Sequence, residues 1–249
     1  MKSARELEHM RAAGHILAEV KDRLKALVRA GTSTKDIDED VEAFIIGKGA
    51  QSAFKGYRGY PATVCTSINH EVVHGIPSTK RKLKDGDIIG LDLGCIVEGY
   101  YGDCAVTLPV GPVPVRVQEL INVTRESLDK AIVQCRAGNR IGDISHAVQT
   151  HCEGHGFGVV RAFVGHGIGR SLHEEPQVPN FGEAGRGPVL KAGMVLAIEP
   201  MVTMGSWEVQ VLEDGWTAVT SDGSLAAHFE DTIAITENGP DVRTRTHGT

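Results

Sequence analysis

The chain has 249 residues and a formal net charge of −6 with no long basic tract, which argues against a nucleic-acid binder that works by neutralising phosphates. The charged N-terminus MKSARELEHMRAAGHILAEV is not a signal peptide, and no apolar run reaches the roughly 18 residues a membrane span needs. Five cysteines (Cys65, Cys95, Cys104, Cys135, Cys152) lack C-x-x-C spacing and read as free thiols of a reducing cytoplasm.

Ser3 and Glu6 form a capping-box pattern, followed at helical spacing by Leu7, Met10, Leu17, Val20, Leu24 and Val28 as far as Gly31. A second helix is predicted from Ser33 or Thr34, carrying Ile37, Val41, Phe44 and Ile45. Strands dominate 63–108. Helices return over 114–137 and 142–153, and strands over 161–236. Helices then strands, twice, predict an α+β fold with helices covering one face of a mainly antiparallel sheet.

The two halves also match residue by residue. RAGTSTKDIDEDV from Arg29 aligns without a gap on RAGNRIGDISHAV from Arg136, an offset of 107. GKG at Gly47 against GHG at Gly154, and LKDGDIIGLD at Leu83 against LKAGMVLAIE at Leu190, keep that offset. Two similar halves, about 1–110 and 111–249, within one catalytic unit are expected; the period is far too long for a solenoid.

Within DIIGLDLG, Asp92 interrupts an aliphatic strand, where an unpaired carboxylate costs several kcal/mol or gives up its charge. The repeat places Glu199 in the equivalent position of the second half. A hairpin with its loop at Ile96–Gly99 would set Asp92 directly opposite Asp103, at a Cβ separation of about 4.5–5.5 Å. His166 follows, between Gly165 and Gly167, where a tight backbone bend is expected. Glu230 in HFEDTIAIT completes four carboxylates and one imidazole, suited to paired metal ions. HCEGH (His151, His155) mimics a metal pair, but it lies at a helix end that favours histidine and lacks the glutamate of H-E-x-x-H.

The ordered set Asp92, Asp103 in GD, His166 in GHGIG, Glu199 in IEPM and Glu230 in FED, with His74 in NHEVVHGIP and His173 before EEP, resembles the methionine aminopeptidases over about 57–236. The resemblance is to the short bacterial type I form, since no zinc-binding extension precedes the first helix and no long insertion divides the second half. It implies the pita-bread fold, two pseudo-symmetric α+β halves. It implies that Asp92 chelates one divalent ion, Asp103 and Glu230 bridge two, and His166 and Glu199 complete the other site. Four oxygen donors and one imidazole suit Mn, Fe or Co, with Zn also in range, better than a thiolate-rich structural site would. Glu199 would also accept a proton from water, His173 would donate to the developing oxyanion, and His74 would contact the scissile nitrogen.

The same resemblance lines a methionine pocket with Phe54, Tyr57, Tyr60, Cys65, Leu172 and Trp216. Phe54 stands where the bacterial pattern commonly has cysteine, and Leu172 where it has phenylalanine. The implied substrates are peptide and nascent-chain N-termini with a small second residue, cut by a cytoplasmic monomer. Prolidase and aminopeptidase P share the fold but carry an extra N-terminal domain. Non-enzymatic relatives that bind partners or RNA usually lose the metal ligands. The densest basic stretch, Lys80, Arg81, Lys82 and Lys84, is either a solvated loop or a dock for ribosomal RNA.

Overall fold

The computed structural model describes residues 1–245. α1 (Ala4–Leu27) begins at the Ser3 cap, where the Ser3 hydroxyl accepts from the Glu6 amide and the Glu6 carboxylate accepts from the Ser3 amide. Its buried stripe of Met10, Ala13, Leu17, Val20 and Leu24 faces the sheet. α2 (Thr34–Gly47) is capped by Ser33. The second half repeats the pair as α3 (Val115–Val133) and α4 (Ile141–Gly154). α3 stops short of 137 because Gln134 and Cys135 tighten into bonds with carbonyls three residues back, before Gly138 turns at φ 97°.

α2 and α4 are both 14 residues long and start 107 positions apart. Each has an aspartate, Asp36 or Asp143, whose carboxylate accepts from the cap residue's amide. The sequence repeat is therefore a repeat of structure, carried down to the caps.

In the first half, β1 (Gln51–Ser52), β2 (Val64–Ile68), β3 (Glu71–Val73), β4 (Ile88–Val97) and β5 (Tyr100–Pro109) follow the helices. β4 is the central strand, with β5 along one edge and β2 and β1 along the other, all antiparallel. The second half adds ten strands: β6 (Gly158–Val159), β7 (Gly165–Gly167), β8 (Glu174–Val178), β9 (Val195–Ile198), β10 (Met201–Thr203), β11 (Val209–Val211), β12 (Ala218–Thr220), β13 (Ala226–His228), β14 (Asp231–Thr236) and β15 (Gly239–Val242). They order antiparallel as β15–β14–β9–β7–β8, as β13–β10–β6, and as β11–β12–β3, the last joining strands of both halves.

The β4–β5 hairpin differs in register from the expectation. Its turn is Glu98–Gly99, both at positive φ (49° and 77°), a two-residue connection of the type that matches strand twist. Asp92 therefore pairs with Ala105 and Asp103 with Gly94. The shift is two residues, so both aspartates keep the same face and become diagonal rather than direct neighbours.

The halves meet where β5 lies beside the start of β14. Ala105 and Glu230 exchange both backbone hydrogen bonds (3.2 and 3.0 Å), and the Thr232 hydroxyl donates to the Asp103 carbonyl at 2.7 Å. Separate apolar clusters lie on either side of this seam, one around Leu17, Ile37 and Leu91, the other around Leu120, Ile144 and Leu196.

Candidate active site

The seam brings the four acids and the imidazole together. Asp92 lies midway along β4, Asp103 on β5, Glu230 on the bridge between halves, and Glu199 directly after β9. His166 is the middle residue of β7, paired with Ala197 of β9. Its Nε2 is 3.6 Å from Glu199 Oε1 and 3.9 Å from Asp103 Oδ2. Ligand atoms of Asp103, His166 and Glu230 lie within 4.8 Å of one another. The glycines flanking His166 do not serve a bend. A Cβ at Gly165 would lie 2.4 Å from the Ala197 carbonyl oxygen, and one at Gly167 2.3 Å from that of Glu175. They let β7 fit between β8 and β9 with His166 facing the acids.

Burial and mutual repulsion make this cluster hostile to negative charge. Burial raises Asp92 to about 7. Burial, then the charges of Asp92 and Glu199, raise Asp103; burial, then Asp103 and Glu199, raise Glu230. Glu199 is raised by burial and Asp92. Among the described residues, Asp92 Oδ1, Asp103 Oδ1 and Glu230 Oε1 are enclosed and have no hydrogen-bond partner. Close oxygens without donors are what divalent cations neutralise. Burial and His173 hold His166 down to about 4, so its imidazole is neutral. Its Nδ1 lies 2.9 Å from the Gly167 carbonyl, to which it donates, leaving the Nε2 lone pair toward the carboxylates. The donor set fits divalent metals.

His228 was not singled out from the sequence. It is buried, its Nε2 lies 3.9 Å from Glu199 Oε2, and it forms a second close group with Glu199 and Glu230. Burial, then His74, holds it down to about 3. The available signal was its spacing: two residues before Glu230 in an extended segment puts both on one face.

A cavity of about 290 Å³ opens onto the cluster. Phe54, Tyr57, Tyr60, Cys65, Leu172 and Trp216 all line it, as do His74 and His173. The Tyr57 hydroxyl and His173 Nδ1 are 2.8 Å apart, so Tyr57 orients His173 as well as walling the pocket. The tautomer of His173 in which the Tyr57 hydroxyl donates to Nδ1 is the one that carries its proton on Nε2. The His173 ring lies 4.3 Å from that of His166. His74 adopts φ 63° and packs edge-on against Phe163 and Trp216, with centroids at 5.5 and 6.3 Å. Burial, then His173, lowers it to about 4. Phe163 and Arg58 also line the cavity and were not anticipated.

The sequence profile of metallopeptidase family M24 matches residues 8–237. Methionine aminopeptidase 1 of Bacillus subtilis is 52% identical over 244 residues, covering 98% of both chains. The chain belongs to the methionine aminopeptidases of metallopeptidase family M24. Methionine aminopeptidase of Clostridium acetobutylicum is 50% identical over 98% of each chain. The structure of methionine aminopeptidase from Thermotoga maritima superposes with a TM-score of 0.97 at 48% identity, over 98% of each chain. Prolidase from Pyrococcus furiosus shares the fold, at TM-score 0.80 and 24% identity over 99% of this chain and 66% of its own. This M24 hydrolase has the pita-bread fold, as the resemblance implied.

Two features of this M24 chain lie apart from the cluster. His151 bonds Glu126 at 3.1 Å and His155 bonds the His151 carbonyl at 2.8 Å, in a surface groove beside α4. In the basic loop, Arg81 is part-buried and committed to Glu71 and the Ile76 carbonyl, leaving Lys80, Lys82 and Lys84 exposed.

Proposed function

We propose that this enzyme removes N-terminal methionine from peptides and nascent proteins whose second residue is small, using two divalent metal ions. Asp92 and Asp103 with Glu230 would hold one ion, and Asp103, Glu230, His166 and Glu199 the other. The metals, when bound, polarise the scissile carbonyl and lower the pKa of a water toward neutrality. Glu199 accepts the water's proton, its carboxylate steered by the adjacent imidazoles of His166 and His228. His173, oriented by Tyr57, donates to the oxyanion from Nε2. His74 holds the scissile nitrogen and helps the amine leave. The substrate ammonium lies against the acid cluster, which limits cleavage to one residue.

The observation that carries this reading is the cluster of enclosed, donor-free carboxylate oxygens at the end of an aromatic cavity. Polarisable thioethers suit aromatic walls. Phe54 and Leu172 trade volume against each other, so methionine stays preferred, with discrimination against leucine relaxed. Five unpaired, buried cysteines support a reducing cytoplasm, and we take the enzyme to act as a monomer. The exposed Lys80, Lys82 and Lys84 are the candidate ribosome contact.

Release from Met-Ala-Ser, Met-Leu-Ser and Ala-Pro peptides, with Mn, Fe or Co added in turn, tests the reading. Methionine release from the first alone, with about two ions per chain after dialysis, is expected. Cleavage of Ala-Pro alone would instead mark a prolidase-type activity, and a metal-free chain a binding protein. Glu199→Gln should cut kcat far more than it raises KM; a rise in KM alone would contradict the base role.

A further inference from the structure

The cleft is electrically lopsided. Its floor holds four carboxylates, while among the described residues lining it Arg58 is the sole lysine or arginine. Arg58 is exposed at the rim, its guanidinium 5.4 Å from the Tyr57 ring centroid. No carboxylate among the described residues lies within ion-pair range of it. Its charge nonetheless reaches the cleft, where, after burial, it is what lowers His173.

The backbone goes out of its way to present this side chain. Arg58 sits at φ 49°, ψ 24°, the left-handed region that a residue with a Cβ adopts at a cost. Gly56 (φ 88°) and Gly59 (φ 89°) flank it, and the turn is closed by the Gly56 amide donating to Tyr60 at 2.8 Å and the Tyr60 amide to Tyr57 at 2.9 Å. An unpaired cation on a strained, well-bonded turn at the mouth of an acidic cleft has the character of a recognition element.

We infer that Arg58 selects substrates bearing a carboxylate a few residues beyond the scissile bond, so that the cleft reads a peptide with its ammonium at the acid floor and an anion at the rim. This deepens the proposed activity and rests on that reading. The carboxylate has two sources: the C-terminus of a short peptide, or an Asp or Glu side chain near the third position of a longer one. Basic residues there would meet repulsion. No chemistry is added; the effect is on binding and orientation.

Competition assays separate the sources. For the terminal carboxylate, the substrates are Met-Ala-Ser and its C-terminal amide. For a side chain, they are amidated Met-Ala-Glu-Ser and Met-Ala-Lys-Ser. Wild type should favour the acid over the amide, and Glu over Lys, by about fivefold in kcat/KM, the scale of an exposed ion pair. Arg58→Gln and Arg58→Asn (asparagine suits the left-handed backbone) should bring both ratios close to unity. Arg58→Lys should retain them, Arg58→Glu should invert the Glu-to-Lys ratio, and about 0.5 M salt should flatten it. A preference confined to one pair assigns that source. Equal rates in wild type for both pairs, or ratios that survive in the Gln and Asn variants, would overturn the inference. Failure of wild type to release methionine from any of the four would instead overturn the proposed activity.

Discussion

Replacing Asp92 by Asn removes one charge from the acid cluster while keeping its shape, and in metal-free protein it should stabilise the fold. Burial raises Asp92 from 3.8 to about 7. Between those values the folded chain holds a proton that the unfolded chain has released. Its contribution is therefore present at low pH, lost as pH rises through that window, and fully lost above about pH 7. At about 1.36 kcal/mol per pKa unit, the rise from 3.8 to about 7 sets a ceiling of roughly 4 kcal/mol. Asp92 keeps part of its surface open to the cavity, and screening there brings the figure to roughly 2 kcal/mol. A chain of this size shifts by about 2–4 °C per kcal/mol, so Asp92→Asn should melt about 4–8 °C above wild type at about pH 8. At about pH 3, below the unfolded value of 3.8, the carboxyl is largely protonated in both states and the gain should all but vanish. Thermal scans in chelator across that range measure it. Adding Mn should reverse the order at about pH 8, because only wild type keeps the full ligand set. Equal gains at both ends of the range, or a metal-free variant that melts lower at pH 8, would refute the electrostatic reasoning.

Asp103→Ala and Glu230→Ala should each abolish methionine release and lower metal stoichiometry measured by elemental analysis, since each removes a ligand proposed to serve both ions; two bound ions with activity would refute the assignment. His173→Ala should lower kcat by roughly 10²–10³ with metal content unchanged, as for loss of one oxyanion donor. Loss of metal in that variant would mean that His173, and not His166, is the ligand. Leu172→Phe should change the Met-to-Leu ratio of kcat/KM by an amount within about 1–3 kcal/mol, leaving metal content alone; an untouched ratio in both this variant and Phe54→Cys would remove those residues from the pocket. Reversing Lys80, Lys82 and Lys84 to glutamate should weaken ribosome co-sedimentation at low salt and spare peptide cleavage, and unchanged co-sedimentation would rule the loop out.

The sequence by itself determined the helices, the caps and the repeat. Ser3 with Glu6, and Ser33 with Asp36, act through hydrogen bonds across three residues, so their geometry is local. The offset of 107 was legible because both halves solve the same packing problem with the same spacing. Asp92 declared itself for a similar reason, as a charge inside an aliphatic strand needs a partner wherever it sits. The register of the β4–β5 hairpin was not legible, because Glu98 in the left-handed region gives no composition signal of the kind Asn-Gly gives. The role of Gly165 and Gly167 was misread for want of their neighbours: the Ala197 and Glu175 carbonyls that exclude a Cβ come from strands 32 and 8 residues further along. His228 beside Glu199 and the bond from Tyr57 to His173 are likewise relations between segments far apart in the chain. The seam between the halves, where Ala105 and Glu230 exchange backbone bonds, crowds four carboxylates into a space that favours cations.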